Sequence, residues 1–486
     1  MQLFIDPSWS LAIVTIVDMA IRVLAVIIVP RNRRPTAGMA WLLAIFFLPV
    51  PGLLLFLLIG NPRLPRHRRV RQREINQYIR DARSHLERGS LRPNEPAWFT
   101  SLVRMNRELG AMPLTGDNGA QLFTQYADSL AEMAASIRAA REYVHLEMYI
   151  LKSDPATDDL FRAMEEVRER DIPVRVILDH WANLSKPFHR RTLRRLDAMG
   201  ADWHFALPIQ PLKGRWQRPD LRNHRKILVV DGDVAFLGSQ NVTDASYNVK
   251  RNIRRGLQWV DVMVKLDGPI VSSVNAVFLS DWVSEAHEVP EGIDLKEMEA
   301  GSGDLDCQVV PSGPGFEVEN NLRLFLGLLY AAQKQIIMVS PYFVPDEALL
   351  LAVTAATKRG VQVELFVSEE SDQAVVFHAQ RSYYEALLRA GVRIWLYPKP
   401  YILHTKGLTV DDEVAVIGSS NMDMRSFGLN MEISLLVRGD EFVQQMRRLE
   451  GDYRQMSREL TLEEWKRQPL RSTILDNLAR LTSSLQ

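Results

Sequence analysis

"NHRKILVVDGDVAFLGSQN", residues 223–241, and "LHTKGLTVDDEVAVIGSSN", residues 403–421, are two versions of one device. His224, Lys226, Asp231, Gly238, Ser239 and Asn241 in the first answer to His404, Lys406, Asp411, Gly418, Ser419 and Asn421 in the second, each 180 residues later. Both stretches read as a strand, a turn and a second strand. Residues i and i+2 of a strand share a face, so each histidine stands beside its lysine while Ile227 and Val229 turn toward the core. A charged lysine has no lone pair, so the pair is a poor metal-ligand set, and no metal or cofactor is expected. Ammonium and imidazole together suit an oxyanion such as a phosphate. Asn241 and Asn421 can donate to the same oxygens, and the glycine of each Gly-Ser allows close backbone approach. Asp231 and Asp411 fall in turns (DGD, DDE), where holding the motif together is favoured over direct catalysis.

Two such sites in one register form a constellation. Two histidines facing one phosphorus suit a two-step displacement. One attacks to give a phosphohistidine, and the other protonates the leaving alkoxide and then deprotonates the incoming hydroxyl. The lysines and asparagines would stabilise charge on the phosphoryl oxygens.

Working outward, the flanks of the two motifs are also alike. "IRAAREYVHLEMYIL" (137–151) and "LYAAQKQIIMVSPYFV" (329–344) each pass from a helix end into an apolar strand. Helical patterns and the β-rich runs "IPVRVILD" and "VQVELFV" follow, giving βαβαββ twice. That order predicts two α/β domains related by duplication, at 115–300 and 301–460. Breakers for the join are "EAGSGD" (299–304) and "PSGPG" (311–315). Residues 61–114 read as a basic linker with a helical segment. The tail, 461–486, reads as an amphipathic helix with Leu470, Ile474, Leu478, Leu481 and Leu485 on one stripe, docked on the protein.

Composition closes some options. Lys+Arg and Asp+Glu both total 59 in 486 residues, so bulk charge offers nothing to a nucleic acid. A single cysteine, Cys307, rules out an intramolecular disulfide and a cysteine-rich metal site. Mean hydropathy of -0.11 hides two apolar stretches, Leu11 to Val29 and Met39 to Ile59. Their lengths approach the ~20 residues that cross a hydrocarbon core, so 1–60 reads as a transmembrane helical hairpin. Asp18 and Arg22 are four apart and can neutralise one another on one helix face. Pro49 and Pro51 predict a kink or a break in the second stretch. Asp6, with no Lys or Arg in the first ten residues, argues against a cleaved signal peptide. The loop between the stretches carries Arg31, Arg33 and Arg34, and six arginines at 63, 66, 68, 69, 71 and 73 follow the second. The heavier cluster should stay cytoplasmic, and it could rest on anionic headgroups or form a solvated linker. Residues 181–226 hold eleven Lys or Arg against three Asp, with Phe205 and Trp216 nearby, and read equally as a headgroup grip or an ordinary basic helix. His145, His180, His204 and His378 stand singly and read as packed or surface residues.

Paired His-x-Lys-x4-Asp motifs with Gly-Ser-x-Asn downstream resemble the phospholipase D superfamily. With the apolar hairpin and basic run ahead of them, they look like the cardiolipin synthases of bacteria. The resemblance implies a pseudo-twofold α/β fold with both motifs at one cleft. It also implies an enzyme of the bacterial inner membrane, multi-pass, with its catalytic domains cytoplasmic. That enzyme would transfer a phosphatidyl group from one phosphatidylglycerol to another, releasing glycerol. His224, Lys226, Asp231, His404, Lys406 and Asp411 would be the catalytic set. Ser239, Asn241, Ser419 and Asn421 would bind substrate. An acidic residue farther along each half would orient the histidine, and Asp261 in "WVDVMV" and Glu432 in "NMEISL" match. "EMYI" (147–150) and "SPYF" (340–343) match strands lining the cleft. The second motif runs on into Met422-Asp423-Met424-Arg425-Ser426, whereas the first continues "VTDASY", so the halves are chemically unequal. By the resemblance, His224 is the nucleophile and His404 the general acid. Rival readings are phospholipid or nucleic-acid hydrolysis within the same superfamily, and an inactive lipid-binding scaffold.

Overall fold

Val144, Leu146 and Met148 alternate along a strand that pairs in parallel with Val174–Asp179 and antiparallel with Lys226–Val230. Being covered on both faces, these strands are mostly apolar, His145, Glu147, Arg175, Asp179 and Lys226 excepted. In a computed structural model they belong to one 16-stranded sheet. The structure describes residues 7–31, 33, 35–61, 63–81, 95–184, 187–210, 218–288, 290, 300–316 and 318–483. Asp6, Arg34, Trp216, Glu299 and Leu485 lie outside them.

The sheet carries the duplication in its strand order. At its centre Leu114–Phe123 and Leu305–Ser312 run antiparallel. Outward from Leu114–Phe123 lie Met263–Asp267, Val234–Gly238, Lys226–Val230, Val144–Met148, Val174–Asp179 and Asp202–Ala206. Outward from Leu305–Ser312 lie Asn430–Arg438, Val414–Gly418, Gly407–Val410, Gln335–Val339, Gln362–Ser368 and Arg393–Tyr397, in matching order. The join expected near residue 300 therefore separates no bodies, because the sheet's hydrogen bonds run straight across it. Residues 64–217 and 221–486 form one compact unit, and Met1–Arg63 with Arg218–Asp220 form a second.

In the smaller unit, Pro7–Ile28 is one helix whose Arg22 Nε lies 3.0 Å from Asp18, the expected i,i+4 pair. The second apolar stretch takes the break that Pro49 and Pro51 predict. It forms two helices, Pro35–Phe47 and Pro49–Ile59, broken at Leu48. Pro49 lacks an N–H and starts the second helix, as its fixed φ favours. That helix packs back on the first: a Cβ on Gly52 would lie 2.7 Å from the Ala44 carbonyl, and Trp41 meets Phe56 edge-on at 5.5 Å. At 1.5 Å per residue, 13 and 11 residues reach only about 20 and 16 Å. Among the described residues no helix is long and apolar enough to cross a membrane. Large apolar side chains nonetheless face outward along all three helices, Ile16, Val23, Phe47 and Leu57 among them.

Two further expectations change in the larger unit. Arg66–Asp81 is the helical segment, but it is held against protein where a solvated run or a contact with headgroups was expected. Arg68 makes a bidentate pair with Glu285 at 2.6 and 2.8 Å, and Arg71 donates to the Val283 carbonyl. These arginines are spent on protein. The tail helix Leu470–Arg480 does dock, but by its polar face: Asp476 is buried against His378 (2.6 Å) and Arg381. Its stripe of Leu470, Ile474, Leu478 and Leu481 remains exposed, because an ion pair set the docking face where periodicity alone predicted the leucines. In the basic segment, Arg195 is drawn into pairs with Asp158 and Glu165. Buried His145 stacks between Tyr143 and Phe278, each 4.4 Å away, a packed histidine as expected.

Candidate active site

Each motif histidine stands where a two- or three-residue strand, Arg222–Asn223 or Tyr401–Leu403, hands over to a long sheet strand. The His224 N–H bonds the Met431 carbonyl at 2.9 Å, and the His404 N–H bonds the Val260 carbonyl at 2.8 Å. Each histidine is thus tied to the other half of the chain. The side chains repeat this crossing. His224 Nδ1 faces Glu432 at 2.9 and 3.0 Å, while His404 Nδ1 faces Asp261 at 2.7 Å. The two carboxylates singled out in the sequence stand against the histidines, each against that of the opposite half.

Carboxylate oxygens only accept, so each Nδ1 carries the proton and each Nε2 keeps its lone pair. Burial lowers both histidines to about 4, despite the carboxylate each one faces and helped by the lysines of both halves. Both are therefore neutral at pH 7. The crossed histidine–carboxylate contacts bring the two motifs together. Burial acts to raise Asp261 and Glu432, but the facing histidine, the lysines and a serine outweigh it, and both fall below ordinary carboxylates. Burial brings Lys226 down to about 8 and Lys406 to about 7, against the pull of the nearby carboxylates. Each Nζ donates to its own histidine's carbonyl at 2.5 Å.

The remaining expected residues divide. Ser239 Oγ donates to Asp261 at 2.6 Å and Ser419 Oγ to Glu432 at 2.5 Å, and each also takes a backbone N–H from the next strand. Their hydroxyls steady the carboxylates, in place of the substrate contact expected of them. Asn241 is spent between the Ile150 N–H (3.1 Å) and the Tyr247 hydroxyl (2.8 Å). Buried Asn421 keeps a side-chain oxygen without a partner.

Asp231 and Asp411 are not brought to the site. They follow Val230 and Val410, at the strand ends remote from the histidines, roughly 20 Å away at ~3.3 Å per residue. Asp231 accepts the N–H groups of Arg141, Glu142 and Tyr143, and Asp411 those of Gln333, Lys334 and Gln335. Their φ of 57° and 54° marks them as turn residues that tie each motif hairpin to the strand before it.

Of the surroundings, Tyr149 and Glu147 fall in the stretch 147–150 expected to line the cleft, whereas Arg225 and Asp281 went unread in the sequence. Tyr149 packs edge-on against His224 at 4.6 Å and lies 5.2 Å from Lys226 Nζ. Arg225, between the motif's His and Lys, turns to the opposite face, bonds the Glu432 carbonyl at 3.1 Å and pairs with buried Asp281. Glu147, held by Asn223, is raised well above the carboxylate range by burial and by Asp281. A strand arginine facing the core needs a buried acid, and that was the available signal. His404 has Thr405 bonded to Tyr453 at this place, 2.8 Å apart.

The chain is similar to known proteins. Residues 133–282 and 325–450 match the family described as "Cardiolipin synthase, PLD-like domain", and residues 10–61 match "Phospholipase D-nuclease N-terminal". Cardiolipin synthase A of Proteus mirabilis is 30% identical over 477 residues, covering 93% of this chain and 94% of that protein. Cardiolipin synthase A of Serratia proteamaculans is 31% identical over 470 residues, with 94% of each covered. The crystal structure of phosphatidylserine synthase from Haemophilus influenzae superposes with a TM-score of 0.61 over 79% of this chain and all of that one, at 16% identity, so the fold is shared. Fold and site define the phospholipase D class. Within that class, the chain belongs to the cardiolipin synthase family.

Proposed function

We propose that this chain transfers a phosphatidyl group from one phosphatidylglycerol to another, giving cardiolipin and glycerol. The observation that carries the reading is the pair of crossed dyads, two neutral buried histidines each backed by a carboxylate and flanked by lysines. His404 first takes a proton from solvent on Nε2 as the anionic phosphodiester binds, an imidazolium that Asp261 supports; His224 Nε2 then attacks phosphorus, the bond to the leaving glycerol breaks, and His404 gives that proton to the alkoxide. The acceptor's glycerol hydroxyl then gives its proton to His404 and attacks phosphorus as the P–N bond breaks, which restores His224. Lys226, Lys406 and Asn421 balance charge on the phosphoryl oxygens. Glu432 and Asp261 fix the tautomers and support the imidazolium forms.

The N-terminal helices seat the enzyme in the inner membrane of a bacterium, through outward apolar side chains that water would not favour. The catalytic halves face the cytoplasm, on the side of the arginines that follow the helices. Detergent-solubilised protein given phosphatidylglycerol should yield cardiolipin. Phosphatidic acid alone would make it a hydrolase, and no product would make it a scaffold.

A further inference from the structure

The strands beside the two motifs fix the end at which the site opens. Val144–Met148 and Gln335–Val339 run against the motif strands, with Met148 opposite Lys226 and Val339 opposite Gly407. Their C-terminal ends therefore lie beside the histidines, while Asp231 and Asp411 close the other end. Val174–Asp179, Gln362–Ser368 and Arg393–Tyr397 run parallel to them and finish on the same side. Asp179 accepts the Asn223 N–H (2.9 Å) and Ser368 Oγ the Leu403 N–H (2.8 Å), each one residue before a histidine. A substrate reaches the buried histidines from this end, since the length of the sheet fills the opposite approach.

Apolar side chains are exposed around that end. Trp181 and Leu184 stand just past Val174–Asp179, and Val375 lies in the first turn of the helix after Gln362–Ser368, Ala374–Arg381. Tyr401 is three residues before His404. Ile253 is on helix Lys250–Arg255, which Arg255 ties to Glu370 and to the Ser371 carbonyl. The tail helix belongs to the same end. Gln380 of Ala374–Arg381 accepts the Phe343 N–H at 2.8 Å, and strand Phe343–Val344 pairs with Met422–Asp423, next to Asn421. His378 and Arg381 of the same helix hold Asp476. Leu470, Ile474, Leu478 and Leu481 are each half exposed or more, on the side of the tail helix away from Asp476.

Cations flank these side chains. Lys250, Arg251 and Arg254 are exposed beside Ile253 in a helix that reads KRNIRR. Arg467, Arg471 and Arg480 are exposed beside the leucine stripe, and the one acid of Leu470–Arg480, Asp476, is buried. Apolar side chains set among lysines and arginines are the pattern of a helix lying in the surface of an anionic membrane. On the transferase reading above, the phosphorus to be attacked sits in the headgroup layer while its acyl chains stay in the bilayer. The end of the sheet that holds the histidines then has to meet lipid. We propose that this end of the larger unit rests on an anionic bilayer, with the Leu470–Arg480 stripe and Ile253 set among the headgroups and the flanking arginines on their phosphates. The proposal rests on that reading and adds to it a lipid-binding face that is not part of the N-terminal helices.

The test reads depth in the full-length protein, reconstituted in vesicles of phosphatidylglycerol and phosphatidylcholine. Cys307 is buried, so a cysteine introduced at the surface is the thiol that an environment-sensitive fluorophore reaches. Labels on Leu478→Cys and Ile253→Cys should shift to the blue and be quenched by lipids bearing a nitroxide high on the acyl chain. A label on Glu413→Cys, exposed in the hairpin turn at the remote end, should do neither. In phosphatidylcholine alone the quenching of the first two should weaken, and equal quenching in both lipids would overturn the anionic character of the contact. First and second labels as wet as the third would overturn the proposal. So would a blue shift on Leu478→Cys that nitroxide lipid leaves untouched and that grows with protein density, the mark of a second copy. Ile474→Ser combined with Leu478→Ser should lower cardiolipin formation from vesicles roughly tenfold, and leave that from detergent-dispersed phosphatidylglycerol within about twofold. The depth readings need no turnover. Failure of the unmodified enzyme to make any cardiolipin would therefore remove the transferase reading, while the labels still decide the face.

Discussion

Glu432→Gln tests the crossed dyads most directly. The carboxylate is fully buried and accepts from three groups: His224 Nδ1 at 2.9 and 3.0 Å, Ser419 Oγ at 2.5 Å and Asn430 Nδ2 at 3.1 Å. An amide offers one oxygen in place of two and must turn an NH2 toward a donor. The imidazole can relieve the clash by moving its proton to Nε2, which removes the lone pair that attacks phosphorus. The comparable carboxylate-to-amide change in a Ser-His-Asp triad costs about 10^4 in rate, or about 5.5 kcal/mol of barrier at ~1.36 kcal/mol per decade. The assay is the phosphatidyl-enzyme itself, followed by intact-protein mass after rapid quenching at neutral or alkaline pH, with a substrate whose leaving group needs little protonation. The unmodified protein should carry the adduct on His224. Glu432→Gln, changed in the second half, should lose it as completely as His224→Ala. Asp261→Asn and His404→Ala should still form it and fail at transfer. An adduct on His224 forming at near-normal rate in Glu432→Gln would refute the reasoning.

With a substrate whose leaving group needs little protonation, so that His404 is not called on as an acid, His224 must be neutral and the lysines charged, and kcat/KM should fall below about pH 4. On the alkaline side it should fall as the lysines deprotonate near 7 to 8, well short of the ordinary 10.5. A profile flat to pH 10 would contradict this, and Lys406→Arg should carry the alkaline limb upward. Asp231→Ala should cost about 2–3 kcal/mol of stability by orphaning three backbone N–H groups, read by denaturant unfolding. Its activity per folded molecule should stay within a few-fold, and a complete loss would make Asp231 catalytic. His224→Ala and His404→Ala should each abolish transfer almost entirely. Half-activity in both would mean two independent sites. A reporter fused after residue 486 should be active only in the cytoplasm, and periplasmic activity would reverse the orientation.

The repeat made most of the site legible, because His224 and His404 in one internal register imply a duplicated fold and a shared cleft. Who partners whom was not legible. Asp261 and Glu432 could be picked out by type, but their crossing depends on the approach of strands 171 residues apart, which no local pattern encodes. Pro49 announced a break, and the return of Pro49–Ile59 against Pro35–Phe47 followed from a close contact at Gly52 that hydropathy does not register. In Leu470–Arg480 the apolar stripe misled, since Asp476 found a histidine and an arginine to bury against. The turn positions of Asp231 and Asp411 pointed correctly to their bonding of the backbone.

The crossing of the dyads also bears on the order in which the chain is made. A ribosome that has finished the first half has released His224 and Lys226, yet Glu432 is still to be translated. Until the strand Asn430–Arg438 is synthesised and slots in beside Leu305–Ser312, His224 has no carboxylate to set its tautomer. On the reading proposed above, the half-made chain holds no complete dyad, and His224 meets its carboxylate only when nearly the last strand of the protein is in place.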